Sequence, residues 1–237
     1  MLNLLKPSSW FVPKHPLIIQ NRENFSRFDQ SKPLAEYTFV VCDTELTGFD
    51  LKHDEIISIG AVMIRDLQID LGTIFHQYIK PKNTKHTQAT LIHRITPQQL
   101  ESAPPLHEVL PSFINYCGKS ILVGHFVDLD LAFLNLACKH LFGASLHNPC
   151  VDTLRLAQIH KERFGSPYRN KIYGGHSYNL TELSHQYGLP EFIPHDALQD
   201  ALQTAYLFIC LIKKFQKEGY RTLREIFRIG QDTRWKL

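Results

Sequence analysis

Residues 39–49 read Phe-Val-Val-Cys-Asp-Thr-Glu-Leu-Thr-Gly-Phe, an apolar run that ends in two carboxylates, Asp43 and Glu45, and a glycine turn. On a strand, residues i and i+2 project to the same side. Both acids therefore leave one face, where a buried strand meets water. Like charges that close raise each other's pKa unless a cation lies between them. A hard divalent metal is the usual cation of an all-oxygen site. The chemistry to expect is metal-dependent chemistry on phosphate. The pair alone has an ordinary explanation, because acids at strand ends commonly form turns.

Two further clusters shift that balance. In Gly124-His125-Phe126-Val-Asp128-Leu-Asp130, Asp128 is placed to cap a helix. Asp130 then falls in the first turn, among Leu129, Leu131, Phe133 and Leu134, where the helix dipole alone would favour an acid. In His195-Asp196-Ala-Leu-Gln199-Asp200, Asp196 and Gln199 fit N-cap and N3. On a continuous helix His195 and Asp200 would lie about 140° apart. With His195 in the preceding loop, it can swing over Asp200 instead. Four acids at strand ends and helix starts suit a two-metal site, with ions about 3.5–4 Å apart clamping the attacking and leaving oxygens of a phosphoryl displacement. An imidazole beside such a site is suited to take a proton from water near neutral pH.

The elements that must position these groups follow from the pattern. Residues 1–36 read as an irregular arm interrupted by Pro7, Pro13, Pro16 and Pro33, yet rich in apolar residues such as Trp10, Phe11, Ile18 and Phe28. Such an arm packs on the domain or on a partner. Strands are expected at 37–42, 55–65 and 72–79, joined as an antiparallel meander. Helices are expected at 105–117, 129–142, 153–164, 197–217 and 220–228, with short strands at 121–123 and 150–152. Thr96-Pro97-Gln98-Gln99 and Asn179-Leu-Thr-Glu182 read as capping boxes. The succession predicts an α/β domain with a mixed sheet over 37–217, followed by a helical tail, 218–237, packed on it.

Composition sets limits. The 237 residues are 43% hydrophobic, enough for one sizeable core, and the net charge is only +3, which does not itself indicate nucleic acid. The five cysteines form no C-x-x-C pair and read as buried hydrophobes in a reducing compartment. No apolar run reaches membrane-spanning length, and the apolar stretch at the start is too short for a signal peptide. A cytoplasmic protein without a membrane role is expected. No histidine pair has zinc-motif spacing.

Taken together, Asp43-Thr-Glu45-Leu46-Thr47-Gly48, Gly124-His125…Asp130-x-x-Phe133-Leu134 and His195-Asp196-Ala-x-x-Asp200-Ala resemble the three motifs of the DEDDh 3′–5′ exonucleases. That family includes the proofreading subunits of bacterial replicative polymerases, and the likeness runs from about residue 37 to 215. Ile92-His93-Arg94-Ile95-Thr96 resembles the family's substrate-side His-Gly-Ile-Thr. The resemblance implies a ribonuclease H-like, five-stranded mixed sheet flanked by helices, and two Mg²⁺ or Mn²⁺ ions. It implies that Asp43 bridges both ions, Glu45 and Asp200 complete one site, Asp130 holds the other, and His195 is the general base. Leu46, Thr47 and Phe49 would meet the terminal nucleotide, and His93 its sugar or base. Three positions depart from the family. Phe126 replaces an asparagine, Leu46 a threonine, and Arg94 a glycine, where a cation would add a phosphate contact.

The segment 163–178 mixes cations, aromatics and glycines, chemistry that suits a single strand as well as a solvated loop. The reading that results is a metal-dependent 3′–5′ exonuclease on single-stranded DNA, releasing 5′-mononucleotides, with a DNA polymerase as a candidate partner. The alternatives are the same chemistry on RNA, or a polymerase-docking or nucleic-acid-binding module of little activity.

Overall fold

The computed structural model describes residues 15–82, 88–164 and 178–230. Five strands form one mixed sheet in the order β3-β2-β1-β4-β5. They span Phe39–Leu46 (β1), Ile56–Arg65 (β2), Gln68–Tyr78 (β3), Ile121–Gly124 (β4) and Cys150–Asp152 (β5). The first three form the expected antiparallel meander, whereas β4 and β5 add in parallel.

β1 is longer than its apolar run suggests and carries both Asp43 and Glu45 within the ladder, opposite Gly60 and Ser58 of β2. A register shift between Glu45 and Leu46 ends the regular pairing there, as bulges commonly do beside active sites. β3 also starts earlier than expected. Asp66 and Leu67 have φ of 51° and 56° and turn the chain in two residues, from Arg65 to its partner Gln68. Positive φ at both positions is the tight hairpin geometry, usually signalled by Asn-Gly. Without a glycine the turn escapes a sequence reading.

Helices cover both faces. On one lie α5 (Asp128–Phe142), α4 (Leu106–Cys117) and, from the arm, α1 (Pro16–Asn24). Ile18, Val40, Cys42, Phe113, Leu122 and Leu134 share the core there. On the other lie α6 (Thr153–Phe164), α8 (Ala197–Lys217) and α9 (Leu223–Gly230), packed on Phe39, Val41, Val62 and Val123. Strand alternation therefore sends residues 39, 41, 43 and 45 toward α8, and 40, 42 and 44 toward α5. Three short helices, α2 (Gln88–His93), α3 (Pro97–Glu101) and α7 (Leu180–Tyr187), complete the helices of the described residues. No helix among the described residues is long and apolar enough to cross a membrane.

The arm is not irregular throughout. Pro16 opens α1, because its missing N–H costs nothing at a helix start. Asn21 makes a buried hydrogen bond to Asn148, 2.7 Å, and the His15 N–H donates to the Phe142 carbonyl, 3.0 Å. Leu34 joins the core beside Leu223 of α9, and its N–H donates to Arg221. The described part of the arm is thus packed on the sheet's helices; Trp10 and Phe11 lie outside the described residues, as do Tyr168 and Tyr173 of the cation- and aromatic-rich segment. The capping box at Thr96 forms as read. At α5 the expectation fails: the helix starts at Asp128 itself, Val127 is its N-cap, and the Asp128 carboxylate receives Arg155 instead, 2.9 Å.

Candidate active site

Alternation along β1 brings Asp43 and Glu45 to the face covered by α8. The N-terminus of that helix is capped by Asp196, whose side chain accepts from the Gln199 N–H at 3.0 Å. Asp200, one turn in, then faces the strand. One carboxylate oxygen each from Asp43, Glu45 and Asp200 lies within 4.8 Å of the others. Such an approach needs the helix to sit close on the sheet, and Gly60, paired with Asp43, permits it. A Cβ at Gly60 would lie 2.2 Å from the Ala197 carbonyl carbon. That glycine belongs to the site's architecture although sequence reasoning passed it over; a glycine inside an apolar strand was the available signal.

Asp130 reaches the site differently. Thr44, facing the other way on β1, donates its N–H to Asp130 Oδ1 at 3.0 Å and its hydroxyl to the same oxygen at 2.5 Å. Asp130 is only 7% exposed, and Oδ1 is fully engaged, so Oδ2 is the oxygen left for a ligand. It lies outside the tight trio but near enough for its charge to act on Asp43.

The electrostatics are costly without a cation. Burial, then the charges of Asp130, Asp200 and Glu45, hold Asp43 well above the usual carboxylate range. Glu45 is pushed up to about 8 by burial and by Asp200, Asp196 and Asp130. Burial also raises Asp200, against the opposing hydrogen bond from His195. Burial raises Asp130, offset in part by Thr44. Three converging hard oxygens with raised proton affinity are what a divalent ion displaces protons from. The donor set, three carboxylates among the described residues, therefore fits a hard divalent ion.

His195 has φ +65° and is exposed, and its backbone N–H donates to Asp200 Oδ2 at 2.8 Å. The contact expected between the two residues is thus made by the main chain, which leaves the imidazole uncommitted. On the opposite wall the Gly124–Phe126 turn is tied to β5. Asp152 Oδ1 accepts from the N–H groups of Phe126, 3.1 Å, and Leu154, 2.9 Å. The Thr153 hydroxyl donates to the Gly124 carbonyl at 3.1 Å and lies 2.9 Å from His125 Nδ1. Neither Asp152 nor Thr153 stood out in the sequence; each works through a turn 26 or more residues away.

The remaining expected residues divide. Phe49 and Phe126 hold their rings in solvent, 77% and 64% exposed. Leu46 is buried in the core, so only its backbone faces the site. Thr47 Oγ1 donates to Asp54 at 2.8 Å and accepts from the Glu55 N–H at 3.0 Å, which commits its hydroxyl to its own loop. His93 is 6% exposed, and burial and neighbouring His195 lower its pKa.

Four acids on three elements, β1, α5 and α8, with the exposed His195 imidazole beside them, come from the three motifs that resemble the DEDDh exonucleases. Residues 40–208 match the family model described as exonuclease. The chain belongs to this exonuclease family. It is 33% identical over 185 residues to the DNA polymerase III subunit epsilon of Aquifex aeolicus, covering 76% of the chain and 83% of that protein. To a PolC-type DNA polymerase III of Thermotoga petrophila it is 35% identical over 209 residues, 88% of the chain but only 14% of that relative's length. Its fold is similar to the nuclease domain of 3′hExo, a DEDDh family member, with a TM-score of 0.61 at 18% identity, over 77% of the chain and 95% of that domain.

Proposed function

We propose that the chain is a metal-dependent 3′–5′ exonuclease that hydrolyses the terminal phosphodiester of single-stranded DNA and releases 5′-mononucleotides. The observation that carries this reading is the convergence of Asp43, Glu45 and Asp200 within 4.8 Å at the end of β1, beside an imidazole on a tethered backbone. Asp43, Glu45 and Asp200 would hold one Mg²⁺ or Mn²⁺ and Asp130, with Asp43, a second. Bound there, the ions would supply Lewis acidity and a more acidic water. His195 takes a proton from the attacking water, whose oxygen bonds to phosphorus as the P–O3′ bond breaks. The electron pair leaves with the 3′ oxygen of the penultimate nucleotide, which is protonated from solvent.

DNA is favoured over RNA because the relatives carry the names of DNA polymerase III proteins. The same names make a DNA polymerase the proposed partner, and a cytoplasmic replication or repair setting part of the proposal. The test uses single-stranded DNA, a 3′-recessed duplex and RNA, each with Mg²⁺ or with chelator, for wild type and Asp43→Ala. Mononucleotide release from DNA should require both the metal and Asp43. Release that persists in chelator or in the variant contradicts the mechanism. Binding without release from any substrate favours a docking module.

A further inference from the structure

Beyond the acid trio, the His195 side of the site opens into a cavity of about 250 Å³ that the proposed hydrolysis does not use. It is walled by His76 and Tyr78 of edge strand β3, by His93, Arg94 and Gln99, and by His195. Two donors there lack acceptors. His93 Nδ1 accepts the Ile95 N–H at 3.0 Å, so the neutral ring carries its proton on Nε2. That Nε2 is buried and has no hydrogen-bond partner. Arg94 is exposed, and among the described residues no carboxylate pairs with it.

The backbone beneath Arg94 sharpens the point. Arg94 immediately follows α2, its N–H bonded to the Thr90 carbonyl at 3.0 Å, with φ +59°. Left-handed backbone at a helix C-terminus usually falls to glycine, which adopts it without strain. A large side chain there carries a strain cost that glycine would avoid. The acid cluster next door repels a polyanion, and a guanidinium at its margin offsets that repulsion.

We propose that Arg94 binds a backbone phosphate of the substrate strand other than the scissile one, and so sets the preference for a polynucleotide over a single nucleotide ester. The inference rests on the exonuclease reading above. Arginine matches phosphate because its planar fork offers paired donors to two oxygens.

The experiment compares wild type, Arg94→Gly and Arg94→Lys. Glycine suits this φ, so Arg94→Gly keeps the fold, and an unchanged or higher Tm checks that it does. Binding of a fluorescent single-stranded oligonucleotide is followed by anisotropy across a KCl series, with Ca²⁺ replacing Mg²⁺. Losing one phosphate contact should make the plot of log K against log salt shallower by about 0.7. At low salt, KM for the oligonucleotide should rise about tenfold, with kcat nearly unchanged and Arg94→Lys intermediate. The p-nitrophenyl ester of thymidine 5′-monophosphate has no second phosphate, and its hydrolysis should be unaffected. An unchanged salt slope, or an equal loss on the small ester, overturns the proposal. A wild type that neither binds the oligonucleotide nor cleaves either substrate sinks the exonuclease reading, and this inference with it.

Discussion

On the wall made by β4, β5 and α5, the groups that shape the site are tied down. Asp152 holds the Phe126 and Leu154 N–H groups, Thr153 holds Gly124 and His125, His125 Nε2 reaches the Tyr178 carbonyl at 2.8 Å, and Thr44 holds Asp130. Across the site, the start of α8 is anchored through its main chain, while the His195 ring stays exposed and unbonded. Both walls place a non-glycine residue in left-handed backbone, Phe126 at φ +60° and His195 at φ +65°. The difference lies in what the turn presents. One turn leads into α5, where Thr44 holds Asp130, and the other presents the exposed ring of His195. That difference suits the proposed roles: a metal ligand gains from rigidity, whereas a general base must reach the nucleophile and then release its proton.

Removing the free ring should have the largest effect. His195→Ala is expected to lower kcat by about 10²–10⁴-fold with little change in KM, since its backbone tether to Asp200 survives. Steady-state kinetics on an oligonucleotide checks this, and an equal change in both constants would place His195 in binding instead. Such a result would erase the contrast between the walls.

Loosening the tied wall should cost less. Asp152→Ala removes the acceptor of the Phe126 N–H, which is exposed, and of the Leu154 N–H, which is part-buried, for a loss of about 1 kcal/mol in stability. The Gly124–Phe126 turn should shift with it, lowering activity about tenfold through Asp130. Asp152→Asn keeps an acceptor at Oδ1 and should recover most of both. Denaturant unfolding alongside kinetics separates the two effects, and full activity in Asp152→Ala would show that Asp130 needs no such support.

The smallest effect is on the metal-free protein. Its acids have folded-state pKa values above their unfolded ones, so the folded state holds protons that the unfolded state releases. Stability from these groups is therefore full below the ordinary carboxylate range and lost as pH rises toward about 8, the region where Glu45 titrates. In chelator, Tm should fall by a few degrees between about pH 5 and pH 8. Mg²⁺ should reverse that slope, because metal binds the deprotonated trio and stabilises by mass action. A flat profile in chelator would mean that neither burial nor neighbouring charge raises these acids in solution.

How much was legible in the chain depended on the range of the interaction. Local signals carried far: Asp196 and Gln199 started α8 where the sequence placed it, and the capping box at Thr96 formed as read. Where a local signal was weighted wrongly, a boundary moved. Thr222 and Glu225 exchange the hydrogen bonds of a capping box, which starts α9 at Leu223 rather than three residues earlier. Asp128 looked like a cap, but Arg155, 27 residues on, claims its carboxylate. Interactions across such distances leave no mark on either segment by itself.

The sequence by itself determined which side chains could do chemistry and which elements bear them, because strand alternation and helix capping are set within a few residues. It placed Asp43 and Glu45 on one face and started α8 at Asp196. Tertiary structure decided which oxygens meet. Gly60 lets α8 close on β1 so that Asp200 joins the trio, Thr44 turns Asp130 in from the other face, and Asp152 sets the turn between them. Those choices depend on packing between segments distant along the chain, and packing is resolved only when both surfaces are present.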